Sequence, residues 1–161
     1  MAEKQSFILS KRVPTKFQSR VPPQICEELN MVFTACGNSI KVYSLRTGLL
    51  LSVLREIAEA QHGLKKGADV HKAEIIALYV DTNDSGFVLR SVDARGLLAE
   101  WDPESNELTL VHQLAVNEDD PPKKVRYVHI DSQQIVICQA ASFGVFDIST
   151  KQMKTRIVPE N

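Results

Sequence analysis

Residues 98–102 read Leu-Ala-Glu-Trp-Asp, and a related segment occurs twice more in the chain. In each copy, apolar residues lead to an aromatic and then to Ser or Asp, with a Ser or Thr three residues later and a further apolar run beyond it. The other two copies are Ile40-Lys41-Val42-Tyr43-Ser44 and Gly144-Val145-Phe146-Asp147. Internal repetition of this kind indicates an architecture built from copies of one supersecondary unit.

The spacing of the repeated aromatics indicates the size of that unit. Tyr43 and Trp101 are 58 residues apart, and Trp101 and Phe146 are 45 residues apart. A four-stranded propeller blade takes about 40 to 45 residues. The second interval therefore fits one blade, and the first fits one blade with an insertion.

Alternating apolar and polar residues, bounded by turn-forming residues, predict twelve strands in three groups of four. The predicted strands are residues 21–26, 31–36, 39–44, 49–54, 75–80, 87–92, 97–102, 107–114, 125–130, 134–139, 143–148 and 152–158. We therefore expect an all-β chain that forms a partial β-propeller of about three four-stranded antiparallel blades.

The predicted blades occupy residues 20–55, 71–114 and 123–158, with loop insertions at 56–70 and 115–122. The first insertion is rich in helix-forming residues up to Gly63, and the prolines in the second exclude a central strand. We expect residues 1–19 to form an N-terminal arm, in which Phe7-Ile8-Leu9 either adds an edge strand or stays mobile.

Three blades leave two sheet faces open, because propellers ordinarily close with four to eight blades. We therefore expect this chain to be the first part of a longer propeller, or to pair with a polypeptide that supplies the remaining blades.

The composition is that of about one ordinary globular domain of 161 residues, with 43% hydrophobic and 24% charged residues. With 19 basic and 20 acidic residues, the chain has no overall field that would attract nucleic acid. No apolar run reaches the length of a membrane span. The three widely spaced cysteines fit reduced thiols rather than a disulfide framework. These features predict an intracellular protein without a membrane partner.

The sequence shows none of the familiar catalytic or cofactor motifs. The four histidines form no His-Glu-x-x-His pattern, and no cysteine stands at metal-ligand spacing from them. The seven glycines form no phosphate-binding loop, and no Gly-x-Ser-x-Gly elbow occurs. We therefore predict a protein that is not an enzyme, with no catalytic residue, metal site, cofactor or small-molecule substrate.

The repeats resemble those of the WD-repeat β-propeller family. Trp101-Asp102 matches the dipeptide that ends the third strand of a family blade, while Tyr43-Ser44 and Phe146-Asp147 are degenerate versions of it. The family also places a His before the first strand, and His71 precedes Trp101 by 30 residues. The resemblance implies a buried structural hydrogen-bond network of His71, Ser91, Asp93 and Trp101.

A narrower resemblance concerns the first repeat. Residues 36–44, followed by Thr47-Gly48, look like the opening blade of nucleolar propeller subunits of the small-subunit processome. This resemblance implies a non-catalytic scaffold for protein assembly in ribosomal RNA processing, with a nuclear or nucleolar location favoured over a cytoplasmic one.

Loops on a rigid scaffold are the usual place for partner contacts, so charged residues in the two insertions and their borders are candidates. They are Lys65, Lys66, Glu118, Asp119, Lys123 and Lys124. The N-terminal segment is locally basic and offers candidate RNA contacts. These are Lys11, Arg12, Lys16 and Arg20. The alternative function is a peptide-reading adaptor in ubiquitin ligation or signalling, whose basic pocket would use Arg46, Arg90 and Arg95.

Overall fold

The computed structural model describes residues 19–83, 85–115, 124–140 and 142–157. These residues contain twelve strands and no helix. The strands are β1 (Gln24–Cys26), β2 (Met31–Cys36), β3 (Ser39–Ser44), β4 (Leu50–Leu54), β5 (Ile75–Asn83), β6 (Gly86–Asp93), β7 (Leu97–Asp102), β8 (Glu107–Gln113), β9 (Val125–Ile130), β10 (Gln134–Gln139), β11 (Phe143–Asp147) and β12 (Gln152–Ile157).

The strands form three separate antiparallel sheets, each a meander of four consecutive strands. The first sheet is β1 to β4, the second β5 to β8 and the third β9 to β12. One cluster of buried side chains joins the first sheet to the second, and another joins the second sheet to the third. The predicted all-β class, a partial propeller of three four-stranded blades, is confirmed.

The repeated Ser or Asp after each aromatic shapes the turn between the third and fourth strands. Ser44 accepts a hydrogen bond from the backbone N–H of Thr47 at 3.2 Å, and Asp102 accepts one from Ser105 at 3.3 Å. Asp147 accepts the equivalent bond from Thr150 at 2.8 Å. Short side-chain acceptors of this type stabilise turns by bonding to nearby backbone N–H groups. The repeated motif therefore encodes the same turn in each sheet.

A β-bulge recurs just before each aromatic of the repeat. The register between the third and fourth strands shifts at Tyr43, at Trp101 and at Phe146. Bulges twist and bend a strand locally, so the three sheets share this irregularity at the same place in the repeat.

The insertion 56–70 differs from what its composition favours. Its helix-forming residues form no helix, and the segment instead makes two isolated β-bridges, Glu56 with Asp69 and Gln61 with Leu64. Arg55 and Asp69 hold its two ends together through hydrogen bonds of 2.9 and 3.2 Å. Intrinsic helix preference is a weak force, and these tertiary contacts override it.

Two strand boundaries also differ from the prediction. The first strand begins at Gln24 rather than at residue 21, because Pro22 and Pro23 have no backbone N–H to donate to a ladder. The fifth strand continues to Asn83 instead of ending at residue 80, since it pairs with β6 along its full length.

Candidate functional site

The four residues of the predicted network lie together in the second sheet. His71 precedes β5, Ser91 and Asp93 lie on β6, and Trp101 lies on β7. His71 Nδ1 is 3.3 Å from Asp93 Oδ2, and His71 Nε2 is 2.7 Å from Ser91 Oγ. The Trp101 indole N–H donates to Ser91 Oγ at 3.2 Å.

The partners assign the protons within this network. The Asp93 carboxylate accepts a hydrogen bond from His71 Nδ1, which leaves His71 Nε2 to accept the Ser91 hydroxyl proton. Asp93 Oδ1 also accepts the backbone N–H groups of Arg95 and Leu97, at 2.9 and 3.0 Å. Burial by itself raises the pKa of the Asp93 carboxyl, but its hydrogen bonds to His71 and to these N–H groups outweigh burial and lower the net pKa.

A serine, a histidine and an aspartate in this order also occur in hydrolases, where a base activates the serine. Here Ser91 is 0% exposed and its oxygen is occupied by the Trp101 N–H. His71 is 1% exposed. A substrate carbonyl therefore has no access to Ser91, and the arrangement fastens His71 and the β6–β7 turn to the core of the second sheet.

A second buried polar group, which the sequence did not suggest, lies around Arg90 on β6. Its guanidinium donates to Asp81 at 2.8 Å and to Glu100 at 3.0 Å, and the Arg90 residue is 5% exposed. Lys151 of the third sheet reaches Glu100 at 3.2 Å and so links two sheets. The available signal was the register, because Arg90 and Glu100 are opposite each other on neighbouring strands.

The two ends of the sheets carry different turns and strand starts. At one end, which we name the connection end, β5 begins beside the β2–β3 turn, since the Ile75 N–H donates to the Gly37 carbonyl at 2.8 Å. β9 begins there too, since the Val125 N–H donates to the Ala94 carbonyl at 2.9 Å. The β1–β2 and β3–β4 turns lie at the opposite end, joined by the 2.8 Å bond from Leu45 N–H to the Asn30 carbonyl.

The arginines of the adaptor hypothesis do not come together. Arg90 is buried between two carboxylates. Arg95 is exposed at the connection end, in the β6–β7 turn, whereas Arg46 is exposed in the β3–β4 turn at the opposite end. These three residues therefore build no common basic pocket.

The candidate contact residues fall into two groups. Lys65, Lys66, Lys124 and Arg20 are exposed in the structure. Lys11, Arg12, Lys16, Glu118, Asp119 and Lys123 lie outside the described residues. Arg20 and Lys124 both line one surface depression, and Lys65 and Lys66 of the insertion do not line it.

Neither membrane spans nor metal clusters are found in the part of the chain that the structure describes. No helix there could cross a bilayer. No three potential ligands among its His, Cys, Asp and Glu side chains stand close enough to hold a metal ion. Its three cysteines are free thiols, and burial raises the pKa of the Cys26 thiol.

Comparison with known proteins identifies the fold. No protein-family model and no curated protein matches the sequence significantly. Among solved structures, those of U3-55K and of the RRP9 WD40 repeats each give a TM-score of 0.57 with 16% identity over 85% of this chain. The chain resembles WD-repeat β-propellers. A computationally designed protein gives a TM-score of 0.54 with 18% identity over 84% of the chain.

The chain is short relative to these structures. It spans 38% of the length of the U3-55K and RRP9 chains and 35% of that of the designed protein. Each of these three chains is therefore more than twice as long as the part of it that this chain matches.

Each of the three sheets carries one row of apolar side chains that crosses all four strands and includes the repeated aromatic. We name it the aromatic row. It consists of Val80, Leu89, Trp101 and Leu108 in the second sheet and of Ile130, Ile135, Phe146 and Met153 in the third. In the first sheet it consists of Ile25, Val32, Tyr43 and Leu50.

The aromatic row is covered in two sheets and open in one. Trp101 is 2% exposed and lies in the cluster shared with the first sheet, while Phe146 is 1% exposed and lies in the cluster shared with the second. Each row is thus buried against the preceding sheet. In the first sheet, Ile25 is 55% exposed and Leu50 is 51% exposed.

The third sheet has the complementary open face. Residues on opposite faces alternate along a strand, so the face away from Phe146 carries a second apolar row. This row, the outer row, consists of Tyr127, Cys138, Phe143 and Ile157. Tyr127 and Ile157 are 58% and 52% exposed. The outer row occupies the face on which a following blade would pack.

Proposed function

We propose that this chain is a non-catalytic propeller scaffold whose two terminal sheets are covered by propeller blades, supplied by other protein subunits or by the remaining blades of a longer propeller. We further propose that it works in a nucleolar complex that processes pre-ribosomal RNA.

The observation that carries the scaffold proposal is the open aromatic row of the first sheet. In both other repeats, the preceding sheet buries the equivalent row. All three repeats also have the same register shift just before the aromatic. Burying apolar surface stabilises an interface by roughly 25 cal/mol per Å². A large exposed apolar patch on a soluble domain usually marks an interaction site. A blade in the preceding position would give Tyr43 the environment that Trp101 and Phe146 already have.

Two observations support the choice of complex. The segment 36–44 with Thr47-Gly48 resembles the opening blade of nucleolar propeller subunits of the small-subunit processome. The fold of the chain is also that of U3-55K and of the RRP9 WD40 repeats. Both fit a nuclear or nucleolar protein that acts by binding other subunits.

The proposal is tested by placing a charge in the open row. Tyr43→Glu would put an unpaired carboxylate into an apolar interface, and we expect partner association to weaken at least about 30-fold, the effect of losing 2 kcal/mol at a hot spot. The measurement is affinity purification of the tagged chain from nuclear extract at moderate salt, read by the recovery of pre-ribosomal RNA and processome proteins.

The matched control is Arg46→Glu, because Arg46 is exposed in the turn three residues after Tyr43 and outside the row. The control should recover the same particles as the parent chain. Recovery of a ubiquitin ligase in place of pre-ribosomal particles would overturn the choice of complex. Equal recovery by Tyr43→Glu and the parent would overturn the role of the first sheet.

A further inference from the structure

A basic depression lies at the connection end, where the first strands of the three sheets begin. Its volume is about 500 Å³. Its basic lining residues are Arg20, Lys124 and Arg126, and Val21, Ile75 and Val125 form its apolar floor. We name the three cations the basic trio.

The fold, and not the sequence order, brings the basic trio together. Arg20 precedes β1, whereas Lys124 and Arg126 flank the first residue of β9, about a hundred positions later. Val21 is anchored in the core next to Arg20. The backbone of β9 is fixed at the same place, since Val125 N–H donates to the carbonyl of Ala94, whose own N–H donates to the carbonyl of Glu74 at 2.8 Å.

The charges of the trio are available to a ligand. All three side chains are exposed, and among the described residues none of them has an ion-pair partner. Glu74 supplies the single carboxylate of the described lining. Arg95, which is exposed in the β6–β7 turn directly after the lining residue Ala94, adds a fourth cation next to this lining in the chain. The chain as a whole has a net charge of −1, so this positive potential is local.

We propose that the basic trio binds the phosphate backbone of single-stranded RNA. The proposal rests on the proposed function and names the RNA-facing surface of the scaffold. Exposed Lys and Arg side chains suit phosphate oxygens, and the described lining contains no aromatic on which a base could stack. The contact is therefore electrostatic and independent of RNA sequence. With Arg95, exposed directly after the lining residue Ala94, four cations are available, and this number suits several phosphates better than the single phosphate of a modified peptide.

The test measures RNA binding by the full chain as a function of salt. A fluorescein-labelled single-stranded RNA of mixed sequence is titrated with the parent chain and with the triple variant Arg20→Gln, Lys124→Gln, Arg126→Gln. Each neutralised phosphate contact contributes about 0.7 to the slope of log K against log salt for single strands. Loss of three contacts should reduce the slope by about 2, and binding at 0.1 M salt should weaken about 100-fold.

A matched triple variant separates the site from general charge. The triple variant Arg46→Gln, Lys65→Gln, Lys66→Gln removes the same number of positive charges at positions outside the depression, and it should bind RNA within about twofold of the parent. Circular dichroism checks that both variants fold. Equal losses in the two triple variants, or an unchanged slope in the first, would overturn the proposal. Tighter binding of a phosphoserine peptide than of RNA by the parent chain would also overturn it.

The same variants distinguish this inference from the scaffold proposal. The trio variant keeps the aromatic row intact, so it should still recover processome proteins from nuclease-treated extract. If it recovers those proteins and the parent chain binds no RNA, the RNA site fails alone. If the parent chain also fails to recover them, the scaffold proposal fails as well.

Discussion

At the scale of single residues, no buried side-chain nitrogen or oxygen in the described part of the second sheet lacks a hydrogen-bond partner. Trp101 donates to Ser91, Ser91 donates to His71, and His71 donates to Asp93, so the chain of hydrogen bonds crosses from β7 to the loop before β5. A buried polar group that loses its partner costs about 1 to 3 kcal/mol. We therefore expect a substitution at any of these four residues to lower the free energy of unfolding.

The first prediction concerns Trp101, which is both a large core side chain and a hydrogen-bond donor. Trp101→Ala should lower the free energy of unfolding by about 3 to 5 kcal/mol, because it leaves a cavity between two sheets. Trp101→Phe should cost about 1 to 2 kcal/mol, because Ser91 loses one partner while much of the volume is kept. Trp101 is the single Trp of the chain, so replacing it removes the Trp fluorescence signal. Urea unfolding of the parent and both variants is therefore followed by circular dichroism.

The control for Trp101 is Arg46→Ala, an exposed turn position that should change stability by no more than about 0.5 kcal/mol. A loss below about 1 kcal/mol for Trp101→Ala would contradict the burial of this side chain between the first and second sheets.

The second prediction concerns the acid stability that Asp93 provides. Its pKa lies below the ordinary value of 3.8, so the folded state favours the ionised carboxylate. The stabilisation is present in full above about pH 4 and is lost as the pH falls through the lowered pKa. Asp93→Asn should therefore flatten the rise in unfolding free energy with pH that the parent shows below about pH 4.

The pH effect is measured as the difference between parent and Asp93→Asn urea midpoints, because other carboxylates also titrate there. Asp102→Asn is a useful comparison, since the pKa of Asp102 is also lowered but this residue caps an exposed turn. Parallel stability curves for the parent and Asp93→Asn would contradict the role of the carboxylate charge.

The sequence suggests the network residues because their types and spacing resemble a known pattern. It did not suggest the Arg90 group, since a charged residue inside a strand pattern is ordinarily exposed. Arg90 is buried because β5 extends three residues further than predicted and brings Asp81 beside it, while Glu100 stands opposite on β7. Pairing of this kind depends on the register between strands, which alternation alone leaves open.

At the scale of elements, the strand boundaries followed from local chemistry. Ten of the twelve strands were placed to within two residues at both ends, because alternation and turn residues are local signals. The insertion 56–70 was less predictable. Its conformation depends on the pairing of Arg55 with Asp69 and on the bonds from Asn38 to Asp69 and to the His71 carbonyl, each 3.1 Å. These contacts join residues far apart in the chain.

The third prediction compares two turn glycines. Gly48 and Gly96 both have left-handed backbones, with φ of 70° and 80°, so alanine at either position costs about 1 kcal/mol in strain. A Cβ at Gly48 would meet nothing within 4 Å, whereas one at Gly96 would lie 2.9 Å from the Leu114 carbonyl oxygen. Gly96→Ala should therefore be less stable than Gly48→Ala by about 1 to 3 kcal/mol.

The glycine pair tests the closeness of the β6–β7 turn to the end of the second sheet. Thermal unfolding of the two variants side by side measures the difference directly. Equal melting temperatures would mean that the turn can move away from Leu114 without loss.

At the scale of the whole molecule, the three sheets form a series with a direction. Each aromatic row of the second and third sheets packs against the sheet before it. Among the described residues, no further sheet covers the aromatic row of the first sheet or the outer row of the third. The blade count predicts further blades at these two faces, and this stays a prediction. Which residues form the open rows could be read only from the register of the strands, because the pairing shows that Ile25, Tyr43 and Leu50 share a face.

The most direct test of the central claim is the mass of the purified chain in solution, measured by light scattering over a range of concentrations. Binding of a dye that recognises exposed apolar surface is measured on the same samples. The open aromatic and outer rows predict a mass above the 18.0 kDa of one chain, rising with concentration, and a smaller rise for Tyr43→Glu. A monodisperse 18.0 kDa species that binds no dye at any concentration would show that the terminal sheets need no cover and would contradict the account.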